Sequence, residues 1–177
     1  MNDAKQLDDK LRALRGEFDQ SFAVAVAERG AAPLDFLTIR IAGDPYALRL
    51  SELASLHADR KPVAAPSPLP ELLGIAGFRG ILTPVYDLGA LLGYPAQVAS
   101  KWLVVAQWSS PIAFAFEAFE AHLRIPADQV LLETGETGAA VTGAVRDGRR
   151  AVPLLHLPSL VAGIAQRIKA FGSSQER

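Results

Sequence analysis

Apolar and polar residues alternate along the chain from residue 35 onwards, which is typical of short β-strands. The first alternating run is DFLTIRI, and a second follows the dipeptide Gly43-Asp44. Two such runs joined by a glycine-containing turn predict a β-hairpin. The apolar positions that share one face are Leu37, Ile39 and Ile41 in the first run and Tyr46, Leu48 and Leu50 in the second.

Further strands are predicted along the rest of the chain, separated by turn and loop sequences. ILTPVYDL is a strand that Pro84 places at an edge or a bulge. SELASL predicts one helical turn capped by Ser51, and KPVAAPSPLPE predicts a loop. Asp147-Gly148 between two apolar runs predicts a second hairpin. The other predicted strands are residues 101–107, 111–116 and 122–125. Short strands at this spacing predict a barrel or a pair of barrels.

Helical periodicity marks a segment near each end of the chain. Residues 157–171 predict a closing helix with Leu160, Ile164 and Ile168 on one face. Residues 3–27 predict an opening helix, followed by a linker-like stretch at 28–33. The apolar residues along one face of this opening helix are Leu7, Leu11, Leu14, Phe18 and Phe22. Two interpretations stay open, because this face can cover the core of the following domain or pair with another protein.

Composition narrows the classes of function. Eighteen basic and nineteen acidic residues provide no basic excess of the kind that nucleic-acid binding requires. The absence of cysteine excludes disulfides, thiolate metal sites and a cysteine nucleophile. His57, His122 and His156 are isolated from one another, so we expect no metal or other cofactor. With neither a signal peptide nor a long apolar run, we expect a cytoplasmic protein without direct membrane insertion.

Motifs for catalysis are weak. The glycines at 74, 77 and 80 do not form GxGxxG, and no long helical pattern follows them, which argues against a phosphate-binding loop. The serine pair in WSSP lacks the GxSxG setting of a nucleophile. We therefore expect a binding protein and not an enzyme.

Arg79 is the only charged residue between Leu72 and Tyr86. Its guanidinium group can bind a carboxylate or backbone carbonyls of a partner protein through a bidentate fork. Alternatively, it can form an intramolecular salt bridge with Asp87 on the predicted strand that follows, which would pin the loop to the barrel. Gly80, which follows it, is predicted to need a positive φ or a close backbone approach.

The stretch LLGIAGFRGILTPVYDLGALLG resembles the signature of the CheW-like domain, the family of chemotaxis coupling proteins. DFLTIRIAGDPYALRLSEL resembles the family's opening hairpin, IAFAFEAFEAHLRIP a strand and turn of its second lobe, and GAVRDGRRAVPLLHLPSLV its closing hairpin and helix. The resemblance covers residues 34–165 and implies a mainly β fold of two packed five-stranded SH3-like barrels with a helix at each end. Residues 1–33 are then a helical extension with its linker, and residues 166–177 the end of the closing helix and a tail.

The resemblance also implies a function. Members of the family are non-enzymatic adaptors that couple the cytoplasmic tips of chemoreceptors to the regulatory domain of a histidine autokinase. The family's motif arginine, which lies near the receptor-binding groove, corresponds to Arg79. Two alternatives stay open: a diverged scaffold that binds another partner through residues 3–27, and a small-ligand receptor that uses the cleft between the lobes. The residues expected to bind protein partners are Arg79, Phe78, Gly77, Gly80, Val85 and Tyr86.

The chain departs from the family's usual pattern around the expected binding residues. Gly77-Phe78 replaces Asn-Leu before the arginine, and Gly89 stands where an arginine often follows Asp-Leu. These changes predict a scaffold whose partner contacts differ from the standard ones. The other departures are Ser55 and His57, where an acidic residue and an arginine are common, and His156, where aspartate is usual.

Overall fold

Two β-sheets and two helices make up most of the described part of the chain. The computed structural model describes residues 32–95, 100–132, 140–148 and 150–175. The predicted opening helix at 3–27 lies outside these residues. The strands are β1 (Leu34–Ile41), β2 (Asp44–Arg49), β3 (Leu53–Ala58), β4 (Leu72–Phe78), β5 (Ile81–Asp87), β6 (Trp102–Ala106), β7 (Ile112–Phe116), β8 (Ala118–Ile125), β9 (Val130–Leu132), β10 (Val141–Asp147) and β11 (Arg150–Leu155). The helices are α1 (Leu88–Leu91) and α2 (Leu157–Gln175).

The two sheets share one pattern of strand pairing. The six-stranded sheet has the order β8-β1-β2-β11-β10-β9, and the five-stranded sheet has the order β3-β6-β7-β5-β4. In each sheet a single pair of strands is parallel, β2 with β11 and β5 with β7, and the other pairs are antiparallel. The chain therefore builds the same arrangement twice, and the β4–β5 hairpin of one lobe corresponds to the β10–β11 hairpin of the other.

The sheets are open in the described residues, because the two edge strands of each sheet do not pair with one another. The mainly β class and the closing helix are confirmed, whereas the two lobes, expected as five-stranded SH3-like barrels, are not closed barrels in the described residues, and one of them has six strands. In the five-stranded sheet, the proline-rich stretch 61–71 runs beside β4, where a sixth strand would lie. Val63 forms a two-bond bridge to Ile75 of β4 there, and the N–H of Leu72 donates to the carbonyl oxygen of Leu69. Proline has no N–H to donate to a ladder, so this stretch cannot extend the sheet.

A glycine in each lobe allows a close approach between neighbouring backbones. Gly74 in β4 has φ +142°, and a Cβ atom there would lie 2.1 Å from the carbonyl oxygen of Val63. Gly143 in β10 has φ +154°, and its Cβ would lie 2.1 Å from the carbonyl oxygen of Leu131 in β9. Both positions coincide with a register shift in the hairpin. Glycine is required at both, because any side chain would collide with the neighbouring backbone.

The apolar core is divided among three clusters, of which the largest lies between the sheets and α2. Successive residues of β6 and β7 point alternately into this shared core and into a smaller core of their own lobe. The six-stranded sheet likewise has a small core of its own around Phe36 and Val145. Residues of the shared core include Ile39, Leu48, Val104, Phe114, Leu160 and Ile164, all buried. Complete burial of such a side chain contributes about 1.5–3 kcal/mol.

Polar contacts hold helix α2 to the rest of the protein at both ends of its buried part. Its first backbone N–H, at Leu157, donates to Glu52 Oε2 over 3.0 Å, and burial raises the pKa of the Glu52 carboxyl. Further along, Arg167 forms an ion pair with Glu71, which precedes β4. Within the described residues, neither helix has the length and apolar content needed to cross a bilayer.

Several local predictions change in the structure. Residues 51–56 contribute only the end of a 3₁₀ turn at Leu50–Glu52, because the following residues pair with β6 as strand β3. The first hairpin turns at Ala42 and Gly43, one residue earlier than predicted, since Asp44 already pairs with Ile41.

The predicted strand with Pro84 is β5. The partner of Pro84 across the hairpin is Ile75, whose N–H and carbonyl both bond to Val63 on the other side. Pro84 thus occupies a pair without hydrogen bonds between β4 and β5, and the missing N–H costs nothing there. The pairing with β7 begins one residue later, at Val85, so Pro84 has no partner on that side, although β5 is an inner strand of the sheet and not the predicted edge.

We expect Gly74→Ala to lower the free energy of unfolding by about 2–4 kcal/mol, because the new methyl group adds backbone strain to a clash with Val63. Gly77→Ala, three residues along the same strand, is the matched control, since its Cβ would meet no atom within 4 Å. Urea denaturation of both variants measures the effect. Equal stability of the two variants would contradict the close approach at Gly74.

Candidate protein-binding site

The tip of the β4–β5 hairpin is a two-residue turn made by Arg79 and Gly80. Phe78 pairs with Ile81 on either side, and φ is +49° at Arg79 and +82° at Gly80. Positive φ at both central residues defines a type I′ turn, in which Asn-Gly is the favoured sequence. The prediction of a positive φ at Gly80 is confirmed. An arginine in the left-handed region costs about 1–2 kcal/mol, so this turn is not optimised for stability.

Arg79 is exposed, and within the described residues it forms no hydrogen bond or ion pair. The alternative of a salt bridge with Asp87 is wrong. The Asp87 carboxylate is 4% exposed and instead accepts hydrogen bonds from the backbone N–H groups of Gly89 (2.8 Å) and Ala90 (3.2 Å), which caps α1. The guanidinium group of Arg79 is therefore available to a partner.

A second arginine lies behind the hairpin tip. Arg60, on the loop after β3, donates a hydrogen bond of 2.6 Å to the carbonyl oxygen of Gly77. Its guanidinium carbon lies 5.7 Å from the centroid of the Phe78 ring, a cation–π distance. Sequence reasoning did not select Arg60, although the basic pair with Lys61 beside the proline-rich loop was a signal. We call Gly77–Ile81 together with His57 and Arg60 the Arg79 corner.

His57 completes the corner on the side of β3. Its ring lies 4.7 Å from the Phe78 ring at an interplanar angle of 48°, and its Nε2 is 2.9 Å from the Ser55 hydroxyl. Burial lowers the pKa of the His57 imidazole, and the positive charges of Arg60 and Arg79 lower it further. The corner thus presents two guanidinium groups beside an imidazole that stays neutral near pH 7.

An open groove of about 340 Å³ lies next to the Arg79 corner. Arg79, Ile81 and Ser55 line one part of it, and Val105 and Trp108 line the other. Ile81 is 56% exposed and Trp108 is 48% exposed, so the walls are apolar and accessible. Apolar walls beside an unpaired arginine suit a protein segment that combines apolar side chains with a carboxylate. Trp108 was not among the binding residues predicted from the sequence, although it is an aromatic residue in a turn between strands.

The structure brings four of the six expected binding residues together at the corner. Arg79 and Gly80 form the exposed tip, Gly77 holds Arg60 through its carbonyl group, and Phe78 is buried behind them. Val85 and Tyr86 lie farther along β5 and are 0% and 5% exposed. Val85 belongs to the small core of this lobe and Tyr86 to the shared core, so they position β5 and do not reach the surface.

The positions that depart from the family pattern have structural roles here. Ser55 bonds to His57 of the Arg79 corner, as described above. His156 precedes α2, where its Nδ1 is 2.8 Å from the Ser159 hydroxyl. Gly89 is buried, and a Cβ there would lie 3.2 Å from the Asp87 carboxylate that caps α1.

Replacing Arg79 with asparagine is expected to raise the free energy of unfolding by about 0.5–1 kcal/mol, because asparagine tolerates the left-handed region at this turn position. Urea denaturation of Arg79→Asn beside the wild type measures the change. Arg79→Ala is the control, since alanine shortens the side chain without relieving the backbone strain. A loss of stability in Arg79→Asn would mean that the guanidinium group supports the fold.

Acidification is expected to destabilise the protein over the pH range between the pKa of His57 in the unfolded chain and its lower pKa in the folded protein. Above the unfolded pKa of about 6.5, the imidazole is neutral in both states. As the pH falls below this value, the unfolded chain takes up the proton first, and stability declines until the pH passes the lower pKa of the folded state. Denaturation curves between pH 7.5 and 5.5 should show a weaker decline in His57→Gln than in the wild type. Identical slopes would contradict the lowered pKa.

Comparison with known proteins identifies the family. A family model described as the CheW-like domain matches residues 35–165, about three quarters of the chain. Among solved structures, the crystal structure of the scaffolding protein TtCheW from Thermoanaerobacter tengcongensis superposes with a TM-score of 0.64 and 18% sequence identity, over 70% of this chain and 89% of that one. No curated protein sequence matches significantly. At 18% identity the structural likeness concerns the fold, and the match to the family model carries the assignment. The chain belongs to the CheW-like domain family, whose members are scaffold and adaptor proteins of chemotaxis.

Proposed function

We propose that this protein is a non-enzymatic cytoplasmic adaptor that couples chemoreceptors to a histidine autokinase and contacts one of them through the Arg79 corner. Membership of the CheW-like family supports the class of function. The observation that supports this site is the exposed guanidinium group of Arg79, which has no partner within the described residues. Arg79 also occupies a strained turn position beside an apolar groove. Strain at an exposed position is more easily explained by binding than by folding.

The mechanism of such an adaptor is geometric. A protein that binds receptor and kinase at the same time raises the effective concentration of each for the other and sets their orientation. A rigid framework is needed for this, and the shared core that joins both lobes and α2 supplies it. No step of the mechanism requires a cofactor or a covalent intermediate.

The groove favours a macromolecular partner over a small ligand. Small-ligand sites are concave and enclose several convergent polar groups. Here the groove is open, and two of its polar side chains already have partners inside the protein: Ser55 bonds to His57, and the Thr83 hydroxyl donates to the carbonyl oxygen of Ile81. Arginine and tryptophan are frequent among the few residues that dominate the binding energy of protein interfaces. The open apolar groove contains one residue of each type, Arg79 and Trp108.

Arg79→Ala is expected to weaken binding to the partner by about tenfold or more, the loss typical of a central interface arginine. Receptors and histidine kinases recovered from a lysate of the native cell with wild-type bait would first be identified by mass spectrometry. Their purified cytoplasmic fragments would then be titrated against wild type and variant. Arg150→Ala is the matched control, because Arg150 is exposed beside the turn of the corresponding hairpin in the other lobe.

The outcomes distinguish the alternatives. Loss of binding in Arg79→Ala but not in Arg150→Ala supports the Arg79 corner. Loss on deletion of residues 1–31, with Arg79→Ala unaffected, supports instead a diverged scaffold that binds through its N-terminal segment. Recovery of neither a receptor nor a histidine kinase contradicts the coupling function itself.

A further inference from the structure

Within the residues that the structure describes, β3 is an edge strand that lacks the usual protection. Edge strands present unpaired N–H and C=O groups, and proteins commonly shield them with charged residues, short length, proline or a covering segment. Of the other edge strands, β8 carries Glu120 and Arg124, β9 has three residues, and β4 runs beside the proline-rich stretch 61–71. The six residues of β3, LASLHA, include no proline, aspartate, glutamate, lysine or arginine.

The backbone groups of β3 point alternately towards β6 and away from it. The N–H of Asp59, just after β3, donates to the carbonyl oxygen of Lys101 over 2.8 Å. Counted back from this hydrogen-bonded pair, Ala58 and Leu56 occupy pairs without hydrogen bonds to β6. Their N–H and C=O groups therefore point to the outer edge of β3, where the described part of the chain provides no strand to bond them.

The same strand borders the groove beside the Arg79 corner. Ala54 and Ser55 of β3 line this groove together with Arg79, Ile81 and Trp108. A segment paired with β3 would therefore lie next to apolar walls and to an arginine that has no partner among the described residues. In an extended segment, alternate side chains point to the same side. One segment can thus direct an apolar side chain at Trp108 and an acidic one at Arg79.

Charge identifies the kind of partner that fits this edge. Arg60 and Arg79 bring two guanidinium groups to the corner, and neither forms an ion pair with a carboxylate of the described residues. An occupant with an acidic side chain supplies the missing carboxylate. A second copy of the chain, paired through its own β3, is a poorer occupant. It would add two more guanidinium groups to the interface, and β3 has no acidic residue to balance them.

We propose that the partner of the Arg79 corner contributes an extended segment that adds to the outer edge of β3 as a further strand. Its backbone bonds to Leu56 and Ala58, an acidic side chain binds Arg79, and an apolar side chain packs on Trp108. In this mode of recognition, the main-chain bonds provide affinity and alternate side chains provide specificity. The inference rests on the proposed function for its choice of site, and it names the chemistry of the segment that the site binds.

Amide hydrogen exchange of the full chain, followed for each residue by NMR, tests whether the edge is free. The amides of Leu56 and Ala58 are expected to exchange at least about tenfold faster than those of His57 and Asp59, whose N–H groups bond towards β6 and Lys101. Equal protection of all four amides would mean that another part of the chain already covers the edge. That result would overturn the proposal.

A phage-displayed library of random short peptides is the probe for the occupant, because it contains neither a receptor nor a kinase. Selected peptides are expected to alternate apolar residues with other residues and to include an acidic one. When bound to the full chain, they should slow the exchange of the Leu56 and Ala58 amides by about tenfold or more. A library that provides no peptide with this effect would overturn the proposal.

Ala58→Pro removes an N–H that faces the outer edge, and it is expected to weaken peptide binding by about tenfold or more. Ala151→Pro is the matched control and should leave binding unchanged. Ala151 is exposed in β11 of the other lobe and, like Pro153 two residues later, occupies a pair without hydrogen bonds to β10. Urea denaturation checks that both variants fold. If Ala58→Pro is unfolded, the exchange measurement on the wild type still decides.

The outcomes separate this inference from the proposed function. Peptides that bind Arg79→Ala about tenfold more weakly, but bind Ala58→Pro as they bind the wild type, would overturn strand addition and leave the Arg79 corner as a binding site. Peptides that are weakened by both variants, in a protein that recovers neither a receptor nor a histidine kinase, would support the docking edge and contradict only the coupling function.

Discussion

The apolar core that the two sheets share with α2 is the constraint on which the rest of this structure depends. Because β6 and β7 face the shared core on one side and the core of their own lobe on the other, nearly every residue in them is buried. A charged side chain in these strands would have to leave water without a partner, which costs several kcal/mol. Neither strand contains a charged residue, whereas Arg60 and Arg79 lie on a loop and on a hairpin tip.

The Arg79 corner combines exposed positive charge with backbone strain. Of the described non-glycine residues, only Ala42, Asp59 and Arg79 have positive φ, and the last two border the corner. Asp59 follows the end of β3 and precedes Arg60, whose guanidinium group lies over the Phe78 ring. Because the buried Phe78 ring supports Arg60 and His57 together, the surface chemistry of the corner depends directly on the packing of the smaller core.

The candidate site could be predicted only in part from the sequence. Arg79 and Gly80 were recognisable because a lone charge next to glycine, between apolar runs, has few structural explanations. Arg60 and Trp108 were missed because they are separated from Arg79 along the chain and join it only when β3 and β6 pair. Val85 and Tyr86 were expected to bind partners because they lie on the strand that follows Arg79, but one faces the small core of its lobe and the other the shared core.

The sequence by itself determined the mainly β class, both hairpins, the closing helix and the family resemblance. These features depend on the periodicity and turn chemistry of residues adjacent in the chain, which act locally. Only the tertiary structure decided that the sheets stay open, that each contains one parallel pair, that Asp87 caps α1 instead of binding Arg79, and that Ile168 emerges from the core. Each of these depends on contacts between residues far apart in sequence, for which the local pattern carries no information.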